Sequence, residues 1–156
     1  MWPENIGRIV RRLHESGFKT YIVGGAVRDM VLKKAPGDFD ILTQASLPEI
    51  QSVFSDREIR VVGKTFPICL VNGVEVSSGR AGLGHFPESD LARRDLTVNA
   101  MAMDPFSQTL LDPFNGRQDL EDKVIRFTGD PMERILEDPV RMVRACRFRA
   151  LLSGTL

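Results

Sequence analysis

The residues best suited to chemistry lie within one short stretch, residues 21–43, which reads YIVGGAVRDMVLKKAPGDFDILT. Asp38 and Asp40 stand two apart in an apolar run that begins a strand. Alternate residues of a strand share a face, so the two carboxylates project together, about 7 Å apart, while Phe39 turns to the core. Such a pair is half of a Mg²⁺ site, because this ion takes one or two carboxylates and fills its shell with phosphate oxygens and water. Gly24-Gly25 supplies the other half. Glycine lets the backbone approach an anion, and the free N–H groups at a helix N-terminus favour phosphate. Arg28, one turn into that helix, is placed to reach the same phosphates.

The elements that must position these groups can be read around them. Tyr21 to Val23 form a short apolar strand that ends at the glycine pair. A helix opens from the glycines, with Val27, Met30 and Val31 at helical spacing, and Pro36-Gly37 makes the turn into the second strand. Upstream, residues 3–16 form an amphipathic helix with Ile6, Ile9, Val10 and Leu13 on one face. Arg8, Arg11 and Arg12 are on its wet side, and Gly17 ends it. Downstream, Ser46-Leu47-Pro48-Glu49 is a capping box opening a helix that turns Leu47, Ile50 and Phe54 inward. A strand runs near Arg60 to Val62. Residues 67–80 read as a hairpin around Asn72-Gly73. On its second strand Glu75 is a candidate third carboxylate beside Asp38 and Asp40, although solvation alone accounts for a glutamate next to a turn. Gly63-Lys64-Thr65 looks like the end of a Walker A loop, but Glu58 occupies the place of the required first glycine, so that match is rejected. Residues 81–92 lack periodicity and read as a mobile loop.

The bulk numbers set limits on this chemistry. The 156 residues suffice for one ordinary domain with a single core, and 42% hydrophobic with 27% charged residues is the balance of a soluble globular chain. Zero formal net charge excludes attraction of the whole surface to nucleic acid, so RNA contacts must be local. Cys69 and Cys146 make no CxxC. With only His14 and His85 to assist, they form no zinc site of usual spacing, and both read as buried, reduced thiols. No basic-then-apolar leader and no long apolar run occurs, which predicts a cytoplasmic protein without a membrane contact.

Two further runs carry arginines. Arg93-Arg94-Asp95-Leu96-Thr97-Val98-Asn99-Ala100-Met101 offers two arginines, whose planar forks suit a triphosphate. Asp95 and Asn99 either contact ribose hydroxyls or hold the loop in shape, Asp95 as the cap of a following helix. Met101, Met103, Leu110 and Leu111 predict another hairpin. It leads into Asp112-Pro113-Phe114-Asn115-Gly116 and a short helix through Leu120. In Glu137-Asp138-Pro139-Val140-Arg141-Met142-Val143-Arg144-Ala145-Cys146-Arg147-Phe148, Asp138 caps a helix with proline at its first position. Arg141, Arg144 and Arg147 then follow at steps of three along one side.

Taken in order, Gly24-Gly25-Ala26-Val27-Arg28-Asp29 with Asp38-Phe39-Asp40, then the RRDLTVNA run, the DPFNG run and the EDPVRMVR run resemble the class II nucleotidyltransferases. That family comprises the bacterial tRNA CCA-adding enzymes and poly(A) polymerases. The resemblance covers nearly the whole chain. It implies an α/β nucleotidyltransferase fold of the DNA polymerase beta-like type, a small mixed sheet flanked by helices, with residues 1–130 as the head domain and 131–156 as the start of a helical neck. It also implies two Mg²⁺ ions on Asp38 and Asp40. Gly24, Gly25, Arg28 and Arg94 would hold a triphosphate, and Asp138 with Arg141 would read the base, supported by Arg144 and Arg147. The base-reading chemistry is plausible in itself. Cytosine and adenine each present an amino donor beside a ring-nitrogen acceptor, which a carboxylate and a guanidinium complement. The implied activity is template-independent addition of CMP or AMP, from CTP or ATP, to an RNA 3′ end, in particular that of tRNA. Poly(A) polymerase activity is the alternative within the family, and a catalytically idle nucleotide-binding fragment is the alternative outside it. The loop at 81–92 is shorter than is common in the family, and the helical body that holds tRNA there has no counterpart in these residues. A shortened chain is therefore the expectation.

Overall fold

The periodic apolar residues after Pro3 form α1 (Glu4–Glu15), which buries Ile6, Ile9, Val10 and Leu13 and leaves Arg8 and Arg11 in water. In the computed structural model, which describes residues 2–63, 67–79 and 85–153, this helix covers a sheet of seven strands. They are β1 (Thr20–Val23), β2 (Asp40–Thr43), β3 (Ile59–Val62), β4 (Ile68–Val71), β5 (Val74–Ser78), β6 (Ala102–Met103) and β7 (Leu110–Leu111). Their order is β3-β4-β5-β2-β1-β6-β7. Neighbours are antiparallel except β2 and β5, which run parallel with Asp40 beside Glu75. The mixed sheet flanked by helices is the predicted architecture, and both hairpins form where the turn residues place them.

Alternation sorts the strands' side chains onto two faces. Ile22 and Ile41 join the main core with α1, with α2 (Gly25–Val31) and with α3 (Leu47–Val53). Val23 and Leu42 point to the opposite face, where Leu91, Ala100 and Ala102 complete a smaller core. The Ser46 capping box forms as predicted, the Ser46 N–H donating to the Glu49 carboxylate at 2.7 Å. The chain then adds α4 (Glu88–Leu91), α5 (Gly116–Glu121), α6 (Pro131–Glu137) and α7 (Val140–Ser153). Among the described residues no helix is long and apolar enough to cross a membrane.

Several expectations need correction. The second strand begins at Asp40, not Asp38. Its partner β1 ends at Val23, which pairs with Asp40, and the backbone then turns away at Gly24 (φ 70°) into α2. Asp38 therefore has no strand neighbour and stands exposed just before β2. The predicted loop at 81–92 contains α4, pinned by the fully buried Leu91. A single turn is too short to show a helical period. Its residues 81–84, like Lys64 and Thr65 of the rejected Walker match, lie outside the described residues. Asp95 caps no α-helix. It accepts the Leu96 N–H at 2.9 Å, and only a 3₁₀ turn, Thr97–Asn99, follows. Both cysteines are free, but only Cys69 is buried; Cys146 is exposed on α7.

Candidate active site

The ends of β2 and β5, the turn between β1 and α2, and α7 enclose a cavity of about 840 Å³. Asp38, Asp40 and Glu75 are among the residues that line it. Burial raises the Asp40 carboxyl above its ordinary range, with the negative charges of Glu75 and Asp38 adding to the rise and the Arg94 guanidinium opposing it. The Asp40 proton is thus held first by burial and then by crowding of like charge, and a divalent cation would relieve the crowding. Among the described residues no three acidic, histidine or cysteine side chains are gathered closely enough to hold a metal ion by themselves. An ion here would need oxygens from substrate or water as well.

Gly24, Gly25, Arg28 and Arg94 line the same cavity. Gly24 is required twice over. Its φ of 70° with ψ of −136° strains any other residue, and a Cβ would lie 3.0 Å from both Arg94 Nη1 and Asp40 Oδ2. Burial lowers the pKa of Arg94, against the raising effects of Asp40, Asp95 and Asp90. Its guanidinium is a desolvated cation among carboxylates. Arg28 donates from Nη1 to Asn99 Oδ1 at 2.8 Å, and from Nε and Nη2 to Asp29 Oδ1 at 3.0 and 2.8 Å. Asn99 thus holds an arginine, one of the two roles its position allows.

Helix α7 forms the remaining wall. Arg144, Arg147 and Phe148 line the cavity. Arg144 Nη1 meets Asp95 Oδ2 at 3.0 Å, and its Nη2 lies 3.8 Å from Asp138. Asp95 accordingly ties the arginine run to α7. Asp138 and Arg141 are not among the lining residues. Asp138 Oδ1 accepts the Val140 N–H at 3.0 Å, a capping contact, and Arg141 is held by Glu137 at 2.6 Å and by the Arg134 carbonyl at 3.2 Å.

A family profile described as Poly A polymerase head domain matches residues 20–77 and 72–126. The chain belongs to the poly A polymerase head domain family. Its similarities extend to two named activities. Over 177 residues it is 38% identical to poly(A) polymerase I of Haemophilus influenzae, covering 97% of this chain and 39% of that protein. Over 165 residues it is 40% identical to the CCA-adding enzyme of Bacillus licheniformis, covering 95% and 41%. The crystal structure of the Bacillus stearothermophilus CCA-adding enzyme in complex with CTP superposes with a TM-score of 0.82 at 37% identity, over 95% of this chain and 39% of that one. The chain thus spans about two-fifths of the length of these relatives.

Within this head-domain geometry, Phe148 and Asn5 are cavity residues that the motif reading left without a role. Phe148 had a signal, since it lies four residues after Arg144 and so on the same helical face. Asn5, on the first turn of α1, had none. The two motif glycines are predicted to respond differently to substitution. Gly24→Ala should lower stability by about 1–3 kcal/mol through its backbone conformation. Gly25→Ala should be near neutral, because its Cβ would first meet Arg28 Nη2, at an ordinary 3.5 Å. Thermal denaturation of the two variants checks the contrast, and equal melting temperatures would contradict it.

Proposed function

We propose that this chain carries the catalytic head of a template-independent RNA 3′-end nucleotidyltransferase, adding CMP or AMP from CTP or ATP, with a tRNA 3′ end as acceptor. The observation that carries this reading is one cavity lined by three carboxylates together with Gly24, Gly25, Arg28 and Arg94. Asp38 and Asp40, with Glu75 in support, would hold two Mg²⁺ ions, which supply charge neutralisation at the attacking 3′-oxygen and at the departing pyrophosphate. Arg28 and Arg94 orient the triphosphate so that its α-phosphorus faces that oxygen. The 3′-oxygen forms the new bond to the α-phosphorus as the bond to the β-phosphate breaks. Residues 1–130 are the head in this reading and 131–156 begin a helical neck. We place the protein in the cytoplasm, where a tRNA acceptor would be met.

Transfer assays separate the possibilities. An RNA with a free 3′-OH is offered with each nucleoside triphosphate and Mg²⁺, and pyrophosphate release is measured. Release with CTP and ATP on tRNA supports CCA-type addition, and long tails from ATP alone support poly(A) addition. Nucleotide binding without release identifies an idle binding domain.

Base choice is assigned to Asp138 and Arg141, on the strength of the Glu137-Asp138-Pro139-Val140-Arg141 motif. To meet a base, Arg141 must give up its pair with Glu137. Asp138→Ser separates base reading from capping, because serine still caps a helix but lacks the carboxylate. The expected result is a stable protein whose preference for CTP over UTP falls by roughly 5- to 150-fold, the range for losing a polar group built to pair with a base. Unchanged discrimination would leave Asp138 as a cap only.

A further inference from the structure

Arg28 is held from three directions. Its Nε and Nη2 are bonded to Asp29 along one edge and its Nη1 to Asn99 on another, a Cβ at Gly25 would stand 3.5 Å from its Nη2, and its carbon sits 4.9 Å from the centre of the Phe148 ring. A guanidinium carries five N–H donors. The three bonds to Asn99 and Asp29 leave one N–H on each terminal nitrogen without a partner among the described residues. These two donors form a fork that suits two oxygens of one phosphate. Phe148 reaches Arg28 from α7, and Arg147 lies over the same ring at 5.5 Å.

We propose that Phe148 is a positioning residue. Its ring fixes the plane of the Arg28 guanidinium, so that the fork points into the cavity, and it thereby couples α7 to triphosphate binding. Hydrogen bonds from a guanidinium run near its plane and resist movement within that plane more than tilting out of it, whereas an aromatic ring beside the group opposes tilting. The ring acts through Arg28 in this proposal and not on the base. Its effect is confined to phosphate and is independent of the base.

The inference rests on the phosphate-binding part of the proposed function, and it is tested without requiring transfer. The probe is inorganic tripolyphosphate with Mg²⁺, whose binding is measured by calorimetry on the whole chain. Phe148→Leu should weaken it by about 3- to 10-fold, the scale of a partly desolvated cation–π contact, while Phe148→Tyr, which keeps the ring, should stay within about 2-fold. In Arg28→Ala, adding Phe148→Leu should cost no further affinity, because the group it positions is gone. The ring-current displacement of the Arg28 Nε–H resonance should be present in the unmutated protein and in Phe148→Tyr, and lost in Phe148→Leu. Equal affinity in Phe148→Leu and the unmutated protein, or equal losses in the leucine and tyrosine variants, would overturn the proposal. If transfer assays fail but tripolyphosphate affinity still depends on Phe148, the transferase reading falls and this coupling stands.

Discussion

Asp40→Asn is expected to lower nucleotide transfer by about 10³-fold or more, since a metal ligand that stabilises transition-state charge contributes several kcal/mol. Asp38→Ala should behave similarly. The fold should survive both changes. Asp38 is exposed and pairs with no strand, and asparagine keeps the shape of Asp40. Asp40 also has a pH signature. Its carboxyl is raised above the ordinary value of 3.8 by burial, then by Glu75 and Asp38, so the folded chain holds this proton to higher pH than the unfolded chain does. Metal-free stability therefore falls as pH rises from the unfolded value through the folded one. Asp40→Asn removes that decline and, without metal at neutral pH, melts no lower than the unmutated protein. Adding Mg²⁺ should raise the melting temperature of the unmutated protein and not of the variant. Full transfer in Asp40→Asn would remove the metal assignment, and a large fall in melting temperature would make the residue structural.

The second large effect is on stability. A Cβ at Gly116 would lie 2.2 Å from the Thr97 carbonyl oxygen and 2.8 Å from its carbon, both backbone atoms. No rotamer change relieves such a clash, so Gly116→Ala must separate α5 from the 3₁₀ turn. A cost of about 1–3 kcal/mol follows from overpacking, or roughly 2–4 °C of melting temperature per kcal/mol for a chain of this size. Transfer should fall with it, because that turn carries Asn99 and hence the grip on Arg28. Gly7→Ala is the control. Gly7 lies within α1 with nothing near its missing Cβ, so alanine there should stabilise by about 0.5–1 kcal/mol. Melting curves of the two alanine variants should move in opposite directions.

Local grammar made much of this legible in advance. The glycine pair, the Asn72-Gly73 turn and the Ser46 capping box each act within a few residues, and each formed as read. What escaped depended on distant partners. The alternation rule assumed that β2 extends to Asp38, but the end of β1 at Gly24 decides where pairing stops. The arginines of α7 show another limit. A step of three residues falls about 60° short of a full turn at 3.6 residues per turn, so Arg141, Arg144 and Arg147 fan around the helix. Arg144 and Arg147 enter the cavity while Arg141 turns to Glu137. The ring of Phe148 against Arg28 joins segments that no local pattern connects.

The one parallel pairing in the sheet has a consequence for how the protein comes into being. β3, β4 and β5 form one antiparallel set, and β2, β1, β6 and β7 another. They meet only along β2 and β5, with Asp40 on one side of the seam and Glu75 on the other. Most pairings within each set join neighbours in sequence and can form early, but closing the seam requires a slower, non-local association. Neither set alone contains the three carboxylates. Nucleotide recognition is therefore a property of the completed chain, and bound nucleotide favours the whole native state over any half-folded one.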